Sequence, residues 1–190
     1  MVETTPRVYT AEDLFGMASD ERYELFRGEL IPMAPPPGAL HGSVTSRLAS
    51  QLTAHVLDHD LGECFAAGTG FLLEREPDTV LAPDFAFVAK DLMPDILPER
   101  GYIPVAPDLV VETRSPSDTA REAQLKADLW FALGARVVWE LDPRARVLTE
   151  KRRGAPVRTL GLDDTLSVED LLPGFALPMR KIFRDAPEAS

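Results

Sequence analysis

The most regular hydrophobic pattern in the chain lies between residues 41 and 59. Apolar side chains recur there at every fourth position, at Val44, Leu48, Leu52 and Val56. This spacing brings them onto one face of an α-helix, so the pattern predicts an amphipathic helix with a single buried stripe. A second helix is predicted over residues 118–133, between a stop and cap at residues 115–117 and a C-terminal signal at Gly134.

Short apolar runs between turn residues predict the strands. The runs at 63–67 and 70–75 indicate a strand interrupted or bent at Gly68, followed by a polar turn at 76–79 and a strand through Asp84. We expect these to be consecutive antiparallel strands. Further strands are predicted through Glu112 and at residues 137–142, 146–151 and 156–160.

Smaller elements are predicted near the two ends of the chain. Thr10 is placed to cap a short helix running to about Ser19, and residues 23–33 have the pattern of a hairpin that turns at Arg27 and Gly28. Four further segments complete the prediction: an irregular connection at 90–107, a turn at 163–167, a short helix at 168–174 and a disordered tail after residue 184.

Two carboxylates interrupt runs that otherwise predict buried strands. Side chains alternate between the two faces of a strand, so Asp84 points where Ala86 and Val88 point. By the same alternation Glu112 shares its face with Val110. An unpaired carboxylate moved out of water costs several kcal/mol. Both residues therefore need a cation, strong hydrogen-bond donors or a raised pKa, and a metal site is one candidate explanation.

Lys126 lies in the middle of the apolar arc of the second predicted helix. Leu129 and Trp130 share that arc, whereas Gln124 and Asp128 lie opposite. One explanation is structural: the lysine buries its stem and extends its ammonium group to water, or pairs with Glu122 one turn earlier. The other is a role beside the two carboxylates.

The order of the predicted elements between residues 41 and 142 is α-β-β-β-α-β. This order predicts a mixed α+β (α/β) fold. An N-terminal helix and hairpin and C-terminal strands would be added to this core. With 190 residues, 45% of them hydrophobic and 27% charged, we expect one globular domain over residues 1–190, its core at about 40–143.

Charge and cysteine content narrow the functional classes. A net charge of -11 argues against a general basic surface for nucleic acid, although it leaves room for a local basic groove. Cys64 is the single cysteine, which excludes an internal disulfide, and no long uncharged apolar run indicates secretion or membrane insertion. We therefore expect a cytoplasmic protein with no membrane association.

The histidines and the hairpin glutamates are weaker candidates. His41, His55 and His59 do not have the spacing of a metal cluster, although His55 and His59 are one helical turn apart. His41, at the start of its helix, could donate to a phosphate or simply cap the helix. Glu24 and Glu29 flank the hairpin turn, where they either face solvent or lean into a site.

Taken with the element order, these residues form a recognisable set. With Pro83 and Asp84, the acid Glu112 and a nearby lysine, the chain resembles the PD-(D/E)XK nuclease superfamily. The resemblance implies the restriction-endonuclease-like fold, in which a mixed central sheet is flanked by helices. In finer detail the chain resembles the Uma-two family of putative restriction endonucleases. The matching pieces are residues 23–30, His41, residues 82–87, residues 107–112, residues 115–118, Lys126 and residues 139–143.

The resemblance implies a metal-dependent site. Asp84 and Glu112 would be ligands of Mg²⁺ or Mn²⁺, with the Thr113 carbonyl as a further ligand. The superfamily's lysine usually stands two residues after the second acid, where this chain has Arg114. In similar members the lysine moves to the following helix, which assigns the catalytic role to Lys126 and leaves Arg114 as the other candidate.

Further assignments follow from the same resemblance. Glu24 would be an additional acid, and His41 and Arg114 could contact a phosphate. The implied partner is DNA, and the implied assembly is a homodimer.

Three functions are compatible with these residues. The first is an endonuclease that hydrolyses DNA phosphodiester bonds with two carboxylates, a metal and a lysine. The second is a catalytically silent nuclease-fold module for binding or assembly, which the acidic composition favours. The third, a glycoside hydrolase using two carboxylates, explains neither the inward lysine nor the element order.

Overall fold

The computed structural model describes residues 7–17, 22–93, 97–116 and 118–183. Its helices are α1 (Ala11–Phe15), α2 (Ala39–Asp58) and α3 (Ala120–Ala132), followed by a 3-10 turn at Met179–Lys181. None of the helices in these ranges is both long and apolar enough to cross a membrane.

The strands of the described residues form three sheets. Their bounds are β1 Tyr23–Phe26, β2 Glu29–Pro32, β3 Gly62–Ala66, β4 Phe71–Glu74, β5 Thr79–Leu81, β6 Phe85–Ala89, β7 Leu109–Thr113, β8 Val137–Asp142, β9 Val147–Arg152, β10 Arg158–Leu160, β11 Thr165–Leu166 and β12 Leu177–Pro178. The central sheet has six strands in the order β10-β9-β8-β7-β6-β3. A four-stranded sheet follows the order β2-β1-β5-β4, and β11 pairs with β12.

The central sheet is mixed, because β7 and β8 are parallel and its other pairs are antiparallel. Helix α2 packs on one face of the sheet and α3 on the other. Leu109 and Val111 of β7 pack with the apolar stripe of α2, whereas Val110 packs with Ala127 and Trp130 of α3. The alternation predicted for this strand is thus confirmed, and it places Glu112 on the α3 side.

The core order α2-β3-β6-β7-α3-β8 is the predicted α-β-β-β-α-β arrangement, and the predicted fold class is confirmed. The predicted stripe of α2 is also confirmed, since its four apolar residues are buried. At the hairpin between β1 and β2, Arg27 and Gly28 have φ angles of 49° and 80°. A glycine adopts this left-handed conformation without strain, as the turn requires.

The strand predicted through Asp84 differs from the observed one. The apolar run is two strands, β5 and β6, and Asp84 lies in the segment that crosses from the four-stranded sheet to the central one. The expectation of consecutive antiparallel strands is confirmed for β4 and β5 but wrong for β3, which pairs with β6 in the central sheet. Only Pro83 and Asp84 interrupt the apolar residues between Val80 and Ala89, so the pattern does not indicate a change of sheet there.

Two predicted helix boundaries and one predicted helix need correction. Helix α1 ends at Phe15, before Ser19, and α3 is capped by Thr119 in a capping box with Glu122, not by residues 115–117. Residues 168–174 form hydrogen-bonded turns instead of a helix. The tail after residue 184 lies outside the described residues.

Candidate active site

The two carboxylates meet at one edge of the central sheet. Strands β6 and β7 are antiparallel, with Phe85 paired to Val111. The residue just before β6 must therefore lie beside the residues that end β7. This register brings Asp84 next to Thr113 and places Glu112 at the same edge.

Asp84 is held by two donors. Its Oδ2 accepts a 2.8 Å hydrogen bond from the backbone N–H of Thr113 and lies 3.2 Å from Nε2 of His41. Burial acts to raise the pKa of Asp84, but the bonds from His41 and Thr113 outweigh it, so the pKa is lowered. Both contacts reach Oδ2, which leaves Oδ1 outside this network.

Glu112 is bonded through both of its oxygens. Oε1 accepts a 2.8 Å hydrogen bond from the indole Nε1 of Trp130, and Oε2 lies 2.8 Å from Nζ of Lys126. The Glu112 side chain is 13% exposed. Burial, with repulsion from Asp84, raises its pKa to about 7 in spite of the attraction of Lys126.

Lys126 pairs with Glu112 rather than with Glu122. The Glu122 carboxylate is engaged in the cap of α3, where it accepts from Thr119. Lys126 also lies at the margin of the apolar face and not at its centre, because Ala127 and Trp130 are the buried residues of α3 and the lysine side chain is 45% exposed. The ammonium group thus reaches both Glu112 and open space.

The pKa of Lys126 is raised. Burial acts to lower it, but the negative charge of Glu112 outweighs burial, with smaller contributions from Glu24 and Asp84. Three carboxylates therefore act on one lysine, which stays charged at neutral pH.

Glu24 lines the same cleft, whereas Glu29 is exposed in the hairpin. The Oε1 of Glu24 accepts a 2.9 Å hydrogen bond from the backbone N–H of Ala82. The bond ties β1 to the segment that carries Asp84. Of the two hairpin glutamates, Glu24 is the one that leans toward the site.

Arg114 is directed toward β8. Its guanidinium lies 3.5 Å from Glu140 Oε1 and 3.2 Å from Asp142 Oδ2, and donates to the Asp118 carbonyl at 2.9 Å. Glu140 also pairs with Lys151 at 2.8 Å. Arg114 lines the cleft, but its charge is largely matched by acids other than Asp84 and Glu112.

The three histidines lie in two different parts of the structure. His41 is buried against Asp84, and its Nδ1 has no hydrogen-bond partner within the described parts of the chain. His55 and His59 stack on each other with ring centroids 4.2 Å apart, and His55 bonds the Pro173 carbonyl. Only His41 belongs to the candidate site.

A large cleft opens over these groups, with a cavity volume of about 1270 Å³. Its wall continues along the small residues of α2, from Gly42 to Ala54, and onto β3 at Cys64 and Ala66. The cavity is large enough for an extended polar substrate to reach the two carboxylates.

Comparison with known proteins identifies the family of the chain. A family model described as Uma2, putative restriction endonuclease, matches residues 10–180. The chain belongs to the Uma2 family. This confirms the resemblance seen in the sequence. No curated protein matches the chain.

A solved structure supports the fold. The crystal structure of a putative nuclease belonging to DUF820, from Anabaena variabilis ATCC 29413, superposes with a TM-score of 0.74. The two sequences are 18% identical, and the match covers 92% of this chain and 97% of the other. The Uma2 fold is thus shared along almost the full length of both chains.

The donor groups of the site suit a hard divalent cation. Within the described ranges, no group of three or more His, Cys, Asp or Glu side chains is arranged to hold a metal ion. Mg²⁺ needs no such group, because it is commonly held by one or two carboxylates, with waters and substrate phosphates completing its shell. Asp84 and Glu112, with the Thr113 carbonyl, offer this kind of oxygen set.

Trp130 was not identified as a site residue from the sequence. Its indole lies 2.8 Å from Glu112, and the signal that could have indicated it is its position one helical turn after Lys126. Thr45 was missed as well. Its hydroxyl lies 2.7 Å from the Thr113 hydroxyl and fixes the end of β7 against α2.

Trp130→Phe should raise the pKa of Glu112 above its wild-type value, because the indole N–H stabilises the carboxylate form. Trp139→Phe is the matched control, since that buried indole donates at 2.8 Å to Glu150 instead. The measurement is an NMR titration of the Glu112 carboxyl carbon in each variant. An unchanged Glu112 titration in Trp130→Phe would remove this residue from the site.

Glu112 should also make stability depend on pH. Its folded-state pKa of about 7 lies above the ordinary value of 4.5, so the folded chain binds more protons and loses stability as pH rises through that window. Between pH 5 and pH 8 we expect the free energy of unfolding of wild type to fall by on the order of 2 kcal/mol more than that of Glu112→Gln. Urea unfolding at both pH values measures the difference. If the free energy of unfolding changes by the same amount between the two pH values in both proteins, the raised pKa of Glu112 is contradicted.

Proposed function

We propose that this chain is a metal-dependent endonuclease that hydrolyses DNA phosphodiester bonds. The observation that carries the proposal is the contact of Lys126 with Glu112 at 2.8 Å, at the sheet edge where Asp84 also lies. Membership of a family of putative restriction endonucleases supports hydrolysis of nucleic acid as the reaction class.

In this proposal Asp84, Glu112 and the Thr113 carbonyl would hold Mg²⁺, or Mn²⁺ in its place. The bound ion would supply Lewis acidity and a water of lowered pKa. Neighbouring side chains orient the two carboxylates. Trp130 and Lys126 fix both oxygens of Glu112, and the Thr113 N–H and His41 fix Oδ2 of Asp84.

Lys126 orients the attacking water and stabilises negative charge on the phosphate. Its raised pKa keeps it an ammonium at neutral pH, so it acts as a fixed cation and not as a base. The water oxygen bonds to phosphorus and loses a proton to solvent, while the bond to the leaving ester oxygen breaks and that oxygen takes a proton from solvent. The products are a phosphate monoester end and a hydroxyl end.

Three further residues have supporting roles. Glu24 acts as an additional acid that anchors the Asp84 segment through Ala82. His41 is buried against Asp84. Its role is therefore to position the Asp84 carboxylate rather than to contact a phosphate directly. Arg114, paired with Glu140 and Asp142, can contact a phosphate at the cleft wall but is less well placed than Lys126 to act on the scissile group.

DNA is the proposed partner, and a homodimer is the proposed assembly by analogy with nuclease-fold chains of this size. A catalytically silent binding or assembly module is the alternative function. The net charge of -11 favours it, because a DNA-cutting enzyme must hold a polyanion.

Nicking of supercoiled plasmid with Mg²⁺, with Mn²⁺ and with excess chelator tests the proposed function. Glu112→Gln, purified in parallel, controls for contaminating nucleases. Cleavage by wild type that needs a divalent cation and is absent in the variant supports the endonuclease. Equal residual cleavage in both proteins, or none in wild type with either ion, supports the silent module instead.

A further inference from the structure

A second, smaller pocket with a basic lining lies outside the cleft. Its volume is about 260 Å³, and we call it the arginine pocket; it is lined by Leu40, Val44, Arg47, Pro143, Arg144, Arg146 and Phe183. Three of these seven residues are arginines and none is an acid. In a chain with 31 acidic and 20 basic residues this lining is unusual and indicates an anionic ligand.

The topology places the arginine pocket beside the candidate site. Glu112 of β7 pairs in register with Glu140 of β8, and β8 ends at Asp142, directly before the turn that carries Arg144. With strands about 4.8 Å apart and a rise of about 3.3 Å per residue, Arg144 lies within roughly 15 Å of Glu112. On the α2 side, Leu40 of the pocket directly precedes His41.

Two of the three pocket arginines, Arg47 and Arg144, carry the argument. In the described part of the chain, no carboxylate lies within ion-pairing distance of Arg47 or Arg144. Arg47 donates to the Ile182 carbonyl, which holds its guanidinium at the pocket while leaving its charge unmatched. Arg144 is exposed, and its backbone N–H donates to Asp142.

We propose that the arginine pocket binds the phosphate backbone of DNA next to the scissile phosphate. The proposal deepens the proposed function and rests on it. A guanidinium suits a phosphate because its N–H groups match two phosphate oxygens in one plane. The apolar side chains of Leu40 and Phe183 give the floor a surface for the adjoining deoxyribose.

The arginine pocket explains how a chain with an acidic composition could bind DNA. Binding of DNA depends on cations that replace counterions at individual phosphates, and not on the net charge of the whole protein. A few arginines at the sheet edge that carries Glu112 can hold the backbone there while the rest of the surface repels it. Such contacts carry no base specificity, so they set the register of the DNA and not its sequence.

The test compares two variants that each remove one arginine. Arg144→Gln removes a pocket charge and keeps the backbone bond to Asp142. Arg153→Gln is the matched control. Arg153 follows β9 at its other end, so it lies at the opposite edge of the central sheet from Arg144, and its side chain bonds the Phe131 carbonyl. Binding of a short fluorescent duplex is followed by anisotropy over a range of salt concentrations, with Ca²⁺ replacing Mg²⁺ to keep the duplex intact.

We expect Arg144→Gln to weaken binding severalfold at low salt and to reduce the slope of log affinity against log salt by about 0.9. Arg153→Gln should leave the slope unchanged, and Arg47→Gln should act like Arg144→Gln. Equal effects in Arg144→Gln and Arg153→Gln, or no effect in Arg144→Gln, overturn the inference. Because binding is measured without cleavage, an inactive protein that binds DNA still gives an answer. If wild type binds no duplex, the inference and the DNA-cleaving function fail together; if wild type cleaves and Arg144→Gln keeps its slope, only the inference fails.

Discussion

Lys126→Met should lower the rate of DNA cleavage by roughly a hundredfold or more while the protein stays folded. Methionine retains most of the packing of the lysine stem and removes only the ammonium group. The charge that it removes lies 2.8 Å from Glu112 and extends into the cleft, where the phosphate would develop negative charge. The measurement is single-turnover cleavage at pH 8, above the raised pKa of Glu112.

Lys90→Met is the control for this experiment. Lys90 is also ion-paired, with Asp60, but it follows β6 at the edge of the sheet opposite to Asp84. Its loss should leave cleavage unchanged. If Lys126→Met cleaves as fast as wild type, the assignment of the catalytic cation is wrong, and Arg114→Met becomes the variant to measure.

Glu112→Gln and Asp84→Asn should each reduce cleavage by roughly a thousandfold or more, because the metal contributes several kcal/mol of transition-state stabilisation. Neither variant should be less stable than wild type by more than about 1–2 kcal/mol, since the amides are similar in size to the acids. Glu112→Gln can even be more stable at pH 8, because a buried carboxylate with a pKa of about 7 is costly when ionised.

The matched control is Glu150→Gln. Glu150 is buried and accepts from the indole of Trp139 and from Arg152, just as Glu112 accepts from Trp130 and Lys126. It lies on β9, away from the cleft. We expect this variant to cleave DNA at the wild-type rate once its melting temperature is taken into account. A large loss of cleavage in Glu150→Gln would show that the effect of Glu112→Gln comes from the fold.

The metal should also stabilise wild type specifically. At a concentration about a hundredfold above its dissociation constant, a bound ion adds about 2.7 kcal/mol to the free energy of unfolding. For a chain of this size that corresponds to a rise of several degrees in melting temperature. The rise should be absent in Asp84→Asn and Glu112→Gln and present in Glu150→Gln.

Much of this site could be predicted from local patterns. The alternation in β7 placed Glu112 opposite the α2 face, and the four-residue repeat placed the α2 stripe, because both depend only on the geometry of a single element. Lys126 was found because a lysine among apolar helical residues is unusual. The sequence did not decide which acid pairs with Lys126, because Glu122 lies one helical turn before it.

The contacts between elements could not be predicted in this way. The bond from Trp130 to Glu112 joins α3 to β7, and the contact of His41 with Asp84 joins α2 to the segment before β6. Such pairs depend on how the helices pack on the sheet, which no periodicity encodes. The break between β5 and β6 was hidden for a related reason. Both strands are buried, and only Pro83 and Asp84 interrupt the apolar residues between them, so no longer polar segment indicates the change of sheet.

The arginine pocket shows the same limit. Arg47 and Arg144 are 97 residues apart in sequence, and only the packing of α2 against the β8–β9 turn brings them together. The acidic sequence argues against a general basic surface but leaves room for a local basic groove. It did not indicate that three scattered arginines would form a pocket.

Calorimetric titration of Mn²⁺ into the wild-type protein at pH 8, beside the Asp84→Asn Glu112→Gln double variant, tests the central claim most directly. At this pH Glu112 is ionised and free to exchange part of its contact with Lys126 for a metal. We expect saturable Mn²⁺ binding by wild type and none by the double variant. Equal binding by the two proteins, or no binding by wild type, would contradict the proposal that Asp84 and Glu112 form the metal site of a nuclease.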